Sequence, residues 1–178
     1  SEGHASELYL RRLELSNVKD TEIRLFQLRA YDYRYAFLRK NLLKTNSFNV
    51  MLELDNRSPG LIITRQTKER FTAFSINSFC GHKITSSYDR SYVFPLFTKD
   101  DTGLFPIKSS CISRKVLMHF RSLLNKNIDD LDLALKIFCY SLAILNSPTY
   151  NALFSSQLKR DWPRLPITNN INLFINVS

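Results

Sequence analysis

The chain has 178 residues, 44% hydrophobic and 12% aromatic, with only four glycines and six prolines. That suits one domain with a real core and excludes disordered, low-complexity and collagen-like chains. It carries 25 Lys and Arg against 16 Asp and Glu, a net charge of +9, and the excess is uneven. Residues 19–126 hold 19 basic and 9 acidic residues, the two ends together 6 and 7. A polyanion would be drawn to the middle of the chain, releasing its counterions; composition alone equally allows a generically basic, soluble surface.

No apolar run approaches the roughly 18–20 residues that span a bilayer, so no membrane partner is expected. The start, Ser1 to Ser6, lacks a basic region followed by an apolar stretch, so no signal peptide is read there; these residues resemble a tag remnant and are set aside. Cys80, Cys111 and Cys139 are scattered and odd in number. Structural zinc wants four ligands in paired spacings, so no metal site is expected, and three reduced thiols suit a cytoplasmic protein.

Residues 1–22 are charged and mildly amphipathic, and read as a connector. From Ile23 short apolar runs rich in aromatic residues begin. Ile23–Leu28 and Tyr33–Leu38 read as strands. Asn49–Leu54 fits a strand or a short helix. Asn56-Arg57-Ser58-Pro59-Gly60 has turn chemistry. Leu61–Thr64 and Phe71–Ile76 read as two strands joined by a basic loop, Arg65 to Arg70. Cys80–Ser91 is polar and holds His82, Lys83 and Arg90. Tyr92–Phe97 reads as the last strand, with Pro95 favouring an edge.

The remainder reads as helical. Ser113 can cap a helix with the stripe Val116, Leu117, Phe120, Leu123 and Leu124. Asp129, Asp130 and Asp132 crowd the start of a second, where the dipole favours negative charge; its expected face is Leu131, Leu135, Phe138, Leu142 and Leu145. Ser147-Pro148 stops that helix and starts a third, expected to run to about Lys159. The whole is α+β: a basic, mainly antiparallel β-rich half followed by a helical half, in a single domain.

Catalytic chemistry is not legible. An amino-methyltransferase needs an Asn/Asp/Ser-Pro-Pro-Tyr/Phe loop for the flipped base and a Gly-rich loop for the methyl donor. Neither is present, nor is a phosphate loop of the Gly-x-x-x-x-Gly-Lys-Ser/Thr type. Asp100-Asp101 precedes a tight turn, and no Asp/Glu-x-Lys follows at strand spacing, as a Mg2+ nuclease would need. Gly-x-Ser-x-Gly is missing. His82 reads as a loop residue and His119 as a helix residue, so no catalytic residue is assigned.

A resemblance then enters through five motifs in one order. Phe138-Cys139-Tyr140-Ser141-Leu142-Ala143-Ile144-Leu145-Asn146-Ser147-Pro148-Thr149-Tyr150 resembles the tyrosine-rich helix ending in Leu-His-Ser-Pro-x-Tyr of the specificity domains of Type ISP restriction-modification enzymes. Related Type IIG-like fused adenine-N6 DNA methyltransferases share it. Leu158-Lys159-Arg160-Asp161-Trp162-Pro163-Arg164-Leu165-Pro166 is similar to the family's Leu-Lys-x-Asp-Phe-Pro-Arg-Ile-Pro. Upstream, Leu28 to Tyr35 resembles Tyr-Arg-Pro-Phe-Asp-x-Arg-Trp, Gly60 to Gln66 resembles Gly-Leu-x-x-x-Arg-Gln, and Tyr92 to Phe97 resembles Phe-Pro-Leu-Tyr. Ala30 stands where the family has proline and Asn146 where it has histidine.

The resemblance implies a bacterial target-recognition domain over residues 23–168, with 169–178 a C-terminal extension cut short. Such a domain selects a sequence in double-stranded DNA and positions it for the methyltransferase domain, and the nuclease, of the parent polypeptide. S-adenosylmethionine is implied for that parent, and Mg2+ and ATP are left open; no cofactor is expected in this chain.

Candidate DNA contacts are Arg65, Gln66, Lys68 and Arg70 on the first loop and His82, Lys83, Ser86, Ser87 and Arg90 on the second. Arginine suits the two acceptors of guanine and glutamine the donor–acceptor pair of adenine, although the recurrence of Arg-Gln in the family implies a role in the fold for Arg65-Gln66, since a base reader would vary with target. The lysines with Ser86 and Ser87 are read as phosphate contacts. Arg29, Asp32 and Arg34 are read as a buried ion pair fixing a strand turn. Trp162, Pro163, Arg164 and Pro166 are read as a packed clamp, with Arg164 paired to a helix end or touching phosphate. Tyr140, Pro148 and Tyr150 are read as structural, the tyrosines packing helices onto the sheet. The competing readings are a general nucleic-acid module and a small nuclease.

Overall fold

In the computed structural model residues 19–39, 47–54, 58–100, 107–124 and 127–178 are described. Ile23–Arg29 (β1) and Asp32–Phe37 (β2) form an antiparallel hairpin that pairs Leu25 with Tyr35 and Arg29 with Asp32. Tyr31, at the hairpin tip, has φ 65°, a left-handed conformation that costs a side-chain-bearing residue energy. Ser47–Leu52 is a short helix, α1, which resolves the ambiguous stretch around Asn49. The proposed turn before Gly60 lies partly outside the described residues.

The central sheet has the order β4-β3-β6, with β3 Gly60–Thr64, β4 Ala73–Ile76 and β6 Ser91–Pro95. Side chains of β3 alternate between two faces, as the pleat requires. Ile62 packs with Leu54, Ile76, Cys80 and Ile84 on one face. Ile63 packs with Phe71, Ala73, Leu145, Tyr150 and Leu158 on the other. At the start of β3 the backbone packs closely: a Cβ on Gly60 would sit 2.6 Å from Leu54 Cδ2 and 3.1 Å from Phe94 O, so a larger residue there would have to displace the Leu54 side chain. Phe79–Cys80 (β5) pairs parallel to β1, a strand too short to leave a periodic mark.

Tyr92–Phe97 is not the last strand. Pro95 has no N–H to continue the ladder, and buried Leu96 instead donates its N–H to Pro59 O at 2.9 Å. The chain then forms a further ribbon, β7 Phe97–Asp100 with β8 Ile107–Ser110. The edge position expected of Pro95 holds, since β6 borders the central sheet.

The helical half comprises α2 Arg114–Leu124, α3 Asp130–Asn146, α4 Pro148–Leu153, α5 Ser155–Leu158 and α6 Ile171–Val177. Asp129 caps α3 by accepting the Leu131 N–H at 2.9 Å, and Ser147 caps α4 with Pro148 in its first turn. The expected α3 face is corrected. Leu135 is 44% exposed, whereas Leu133, Ala134, Ile137 and Tyr140 are buried, because this helix packs against other helices on one side and the central sheet on another. The third helix is two short ones, broken at Phe154, where ψ is 15°. In α6, Phe174 is fully buried and stacks on Phe120 at 4.5 Å. A single α+β domain results.

Candidate nucleic-acid interface

The basic loop between β3 and β4 and the polar loop between β5 and β6 meet at one residue. Asp89 is only 6% exposed, and its carboxylate accepts the backbone N–H groups of Lys68 at 3.0 Å and Glu69 at 3.3 Å. Sequence reasoning did not single out Asp89. The signal was Ser86 three residues earlier, whose hydroxyl oxygen accepts the N–H groups of Tyr88 and Asp89, both at 3.0 Å, a turn-closing spacing. Ser91 N–H donates to His82 O at 2.7 Å and closes the base of the second loop.

The β1–β2 hairpin is tied to the same loop. Arg29 donates to Lys83 O at 2.8 Å and Ala30 N–H to Ile84 O at 3.1 Å. Asp32 and Arg34 do form an ion pair, with a 3.0 Å contact, but it is solvent-exposed rather than buried, because β2 faces outward at its start. Tyr31, 92% exposed, and Tyr88 therefore stand out near the cationic loops; neither was singled out as a contact from sequence.

On the first loop Gln66 is exposed and holds φ at 53°, while Lys68 and Arg70 are exposed. Arg65 differs. Its guanidinium lies 4.7 Å over the Trp162 ring, and its Nε is buried without a hydrogen-bond partner. Trp162 is itself met edge-on by Tyr92 at 4.8 Å and Phe94 at 5.7 Å. The segment after Trp162 is bound by two tyrosines: Tyr150 donates to Arg164 O at 2.9 Å and Tyr140 to Pro166 O at 2.8 Å. The Arg164 side chain is exposed, 3.9 Å from Asp161. Pro163 is half-buried beside it. Tyr150 packs on the central sheet as expected. Tyr140 instead meets Phe120 and Phe174 of neighbouring helices. On the second loop His82, Ser87 and Arg90 are exposed, and Lys83 and Ser86 are half-buried.

Among the described residues no three His, Cys, Asp or Glu side chains gather into a metal-holding group, and no helix is long and apolar enough to cross a membrane. A family model, the Type ISP C-terminal specificity domain, matches residues 4–178. The chain belongs to that family. Comparison with curated proteins finds no match.

Among solved structures, this specificity domain is similar to part of the DrdV–DNA complex, with a TM-score of 0.69 at 15% identity over 85% of the chain. It is also similar to part of a nuclease-deletion mutant of the Type ISP restriction-modification enzyme LlaGI in complex with a DNA substrate mimic, with a TM-score of 0.63 at 16% identity over 90%. A third likeness is to part of the ATP-dependent Type ISP enzyme LlaBIII bound to DNA, with a TM-score of 0.63 at 15% identity over 91%. The chain spans 14%, 13% and 11% of those three chains. At such identity the likeness establishes the shared fold.

Proposed function

We propose that this specificity domain reads a short sequence in double-stranded DNA and positions it for the methyltransferase and nuclease domains of a larger, cytoplasmic restriction-modification polypeptide. The observation that carries the reading is the Asp89 staple. It sets the two cationic loops side by side, where phosphate contacts can fix the register of a duplex and a few side chains reach base edges. The kinship with DNA-bound restriction-modification enzymes supports it.

Within this reading Gln66, exposed at a turn, reads a base, and Arg65 holds the loop against Trp162. Lys68, Arg70, Lys83 and Arg90 meet phosphates, with His82, Ser86 and Ser87 at their border. S-adenosylmethionine belongs to another domain of the parent, as do Mg2+ and ATP where the parent uses them. Gly60 and Gly81, the glycines among the described residues, lie against Leu54 and Phe94 and against Leu28 and Phe26. Among the described residues these two make no Gly-rich cradle for a cofactor.

The test is selection from a random duplex pool at several salt concentrations, followed by sequencing. Enrichment of one short motif that Gln66→Ala alters is the expected result. Absence of binding at low salt would overturn the proposal.

A further inference from the structure

The first loop has a second neighbour besides Asp89. Residues 67–71 face the corner where α4 passes into α5, across a cleft of about 470 Å3, within the range of about 300–1,000 Å3 typical of small-ligand sites. Both walls are anchored. Phe71 and Leu158 are buried in one core cluster with Tyr150, and the Asn151 amide donates to Leu145 O at 2.8 Å and Ser147 O at 3.0 Å.

Three exposed cations line the cleft, Lys68 and Arg70 from the loop and Lys159 from the end of α5, against one carboxylate, Glu69. The lining also includes Thr67, which is 4% exposed and whose hydroxyl has no hydrogen-bond partner. Buried hydroxyls are ordinarily partnered. An excess of positive charge over an unpartnered hydroxyl suits an oxyanion.

We propose that this cleft takes a backbone phosphate of the bound duplex, with Lys159 as its positioning cation alongside Lys68 and Arg70. The inference rests on the DNA-reading proposal and extends it to a residue 94 positions along the chain from Arg65 and 77 from His82. Because Gln66 precedes Thr67, a phosphate held here would set the distance between the backbone and the base that Gln66 faces.

The test measures duplex binding by fluorescence anisotropy for the unaltered chain, Lys159→Ala, Lys159→Glu and a control, Lys115→Ala, at an exposed position of α2. Lys159→Ala is expected to weaken selected and random duplexes alike by about three- to tenfold, as loss of one open charge-assisted contact does. The slope of log affinity against log salt should fall by about 0.9. Lys159→Glu should weaken binding further, and Lys115→Ala should leave it unchanged.

Duplex binding by Lys159→Ala equal to that of the unaltered chain would overturn the cleft and leave the DNA reading standing. No binding by the unaltered chain would overturn both. Amide shifts at Lys68 and Lys159 induced by duplex, and not by inorganic phosphate at constant ionic strength, would support a duplex phosphate. Equal shifts with inorganic phosphate and an unaffected duplex affinity would assign the cleft to a free anion instead.

Discussion

The Arg65 guanidinium lies 4.7 Å over the Trp162 ring, joining the loop after β3 to the segment that follows α5. This contact makes Arg65 a support for the loop before it is anything else. A cation over a partly desolvated indole contributes about 0.5–2 kcal/mol. A double-mutant cycle of Arg65→Ala and Trp162→Leu, followed by urea unfolding, should return a coupling energy of about 0.5–1 kcal/mol. Coupling near zero would free Arg65 for direct base reading.

Gln66 separates stability from recognition. Its φ of 53° suits glycine or asparagine better than a long or branched side chain. Gln66→Gly should leave stability unchanged or raise it by up to about 1 kcal/mol, and Gln66→Val should lower it by about 1–2 kcal/mol. If the amide reads a base, Gln66→Gly should nonetheless blur the selected motif. A stable variant with an unchanged motif would move base reading to another residue.

What could be read from sequence follows from how locally each feature is encoded. The hairpin, β3 and the capped starts of α3 and α4 are written in neighbouring residues: alternating aromatics, Asp129 beside the first N–H groups, and Ser147-Pro148. The features that escaped depend on residues far apart. β5 exists because Phe79 and Cys80 pair with Phe26 and Gln27, and two residues carry no period. The outward position of Leu135 follows from α3 having partners on two sides. The break at Phe154 has no proline or glycine to announce it. The same distinction divides the site: its cations stood in the basic loops, but their common surface is made by Asp89, and Arg65's partner lies near the other end of the chain.

Asp89 offers the sharpest test of that common surface. Removing a buried carboxylate that accepts two N–H groups leaves both donors unpaired, which costs about 2–3 kcal/mol. Asp89→Ala should lose about that much stability in urea unfolding, and hydrogen exchange should accelerate at the Lys68 and Glu69 amides. Asp89→Asn, which keeps an acceptor oxygen for one of the two, should fall between. Unchanged exchange in Asp89→Ala would show that the loops are held together by other contacts.

The cysteines differ in burial, and their reactivity should follow. Burial pushes the Cys80 thiol up to about 12, which leaves almost no thiolate for alkylation at mildly alkaline pH. Cys111 is exposed, with a thiol raised by partial burial and by Glu53. Iodoacetamide labelling followed by peptide mass spectrometry should therefore modify Cys111 first and reach Cys80 only on unfolding. Equal rates at both would mean that the β5 edge opens readily.

The start of the hairpin carries a pH response. Glu22 is held down to about 2 by hydrogen bonds from the Arg39 side chain and then from the Lys19 backbone N–H. A carboxylate lowered on folding stabilises the native state above its ordinary value of 4.5, and the contribution fades as pH falls toward about 2. Carbon-detected NMR titration should place the Glu22 midpoint near 2 in the unaltered chain and close to its ordinary value in Arg39→Met. The Arg39→Met chain should also lose part of the acid dependence of unfolding between those two values. A Glu22 midpoint indifferent to Arg39→Met would show that the backbone N–H, not the guanidinium, holds the carboxylate.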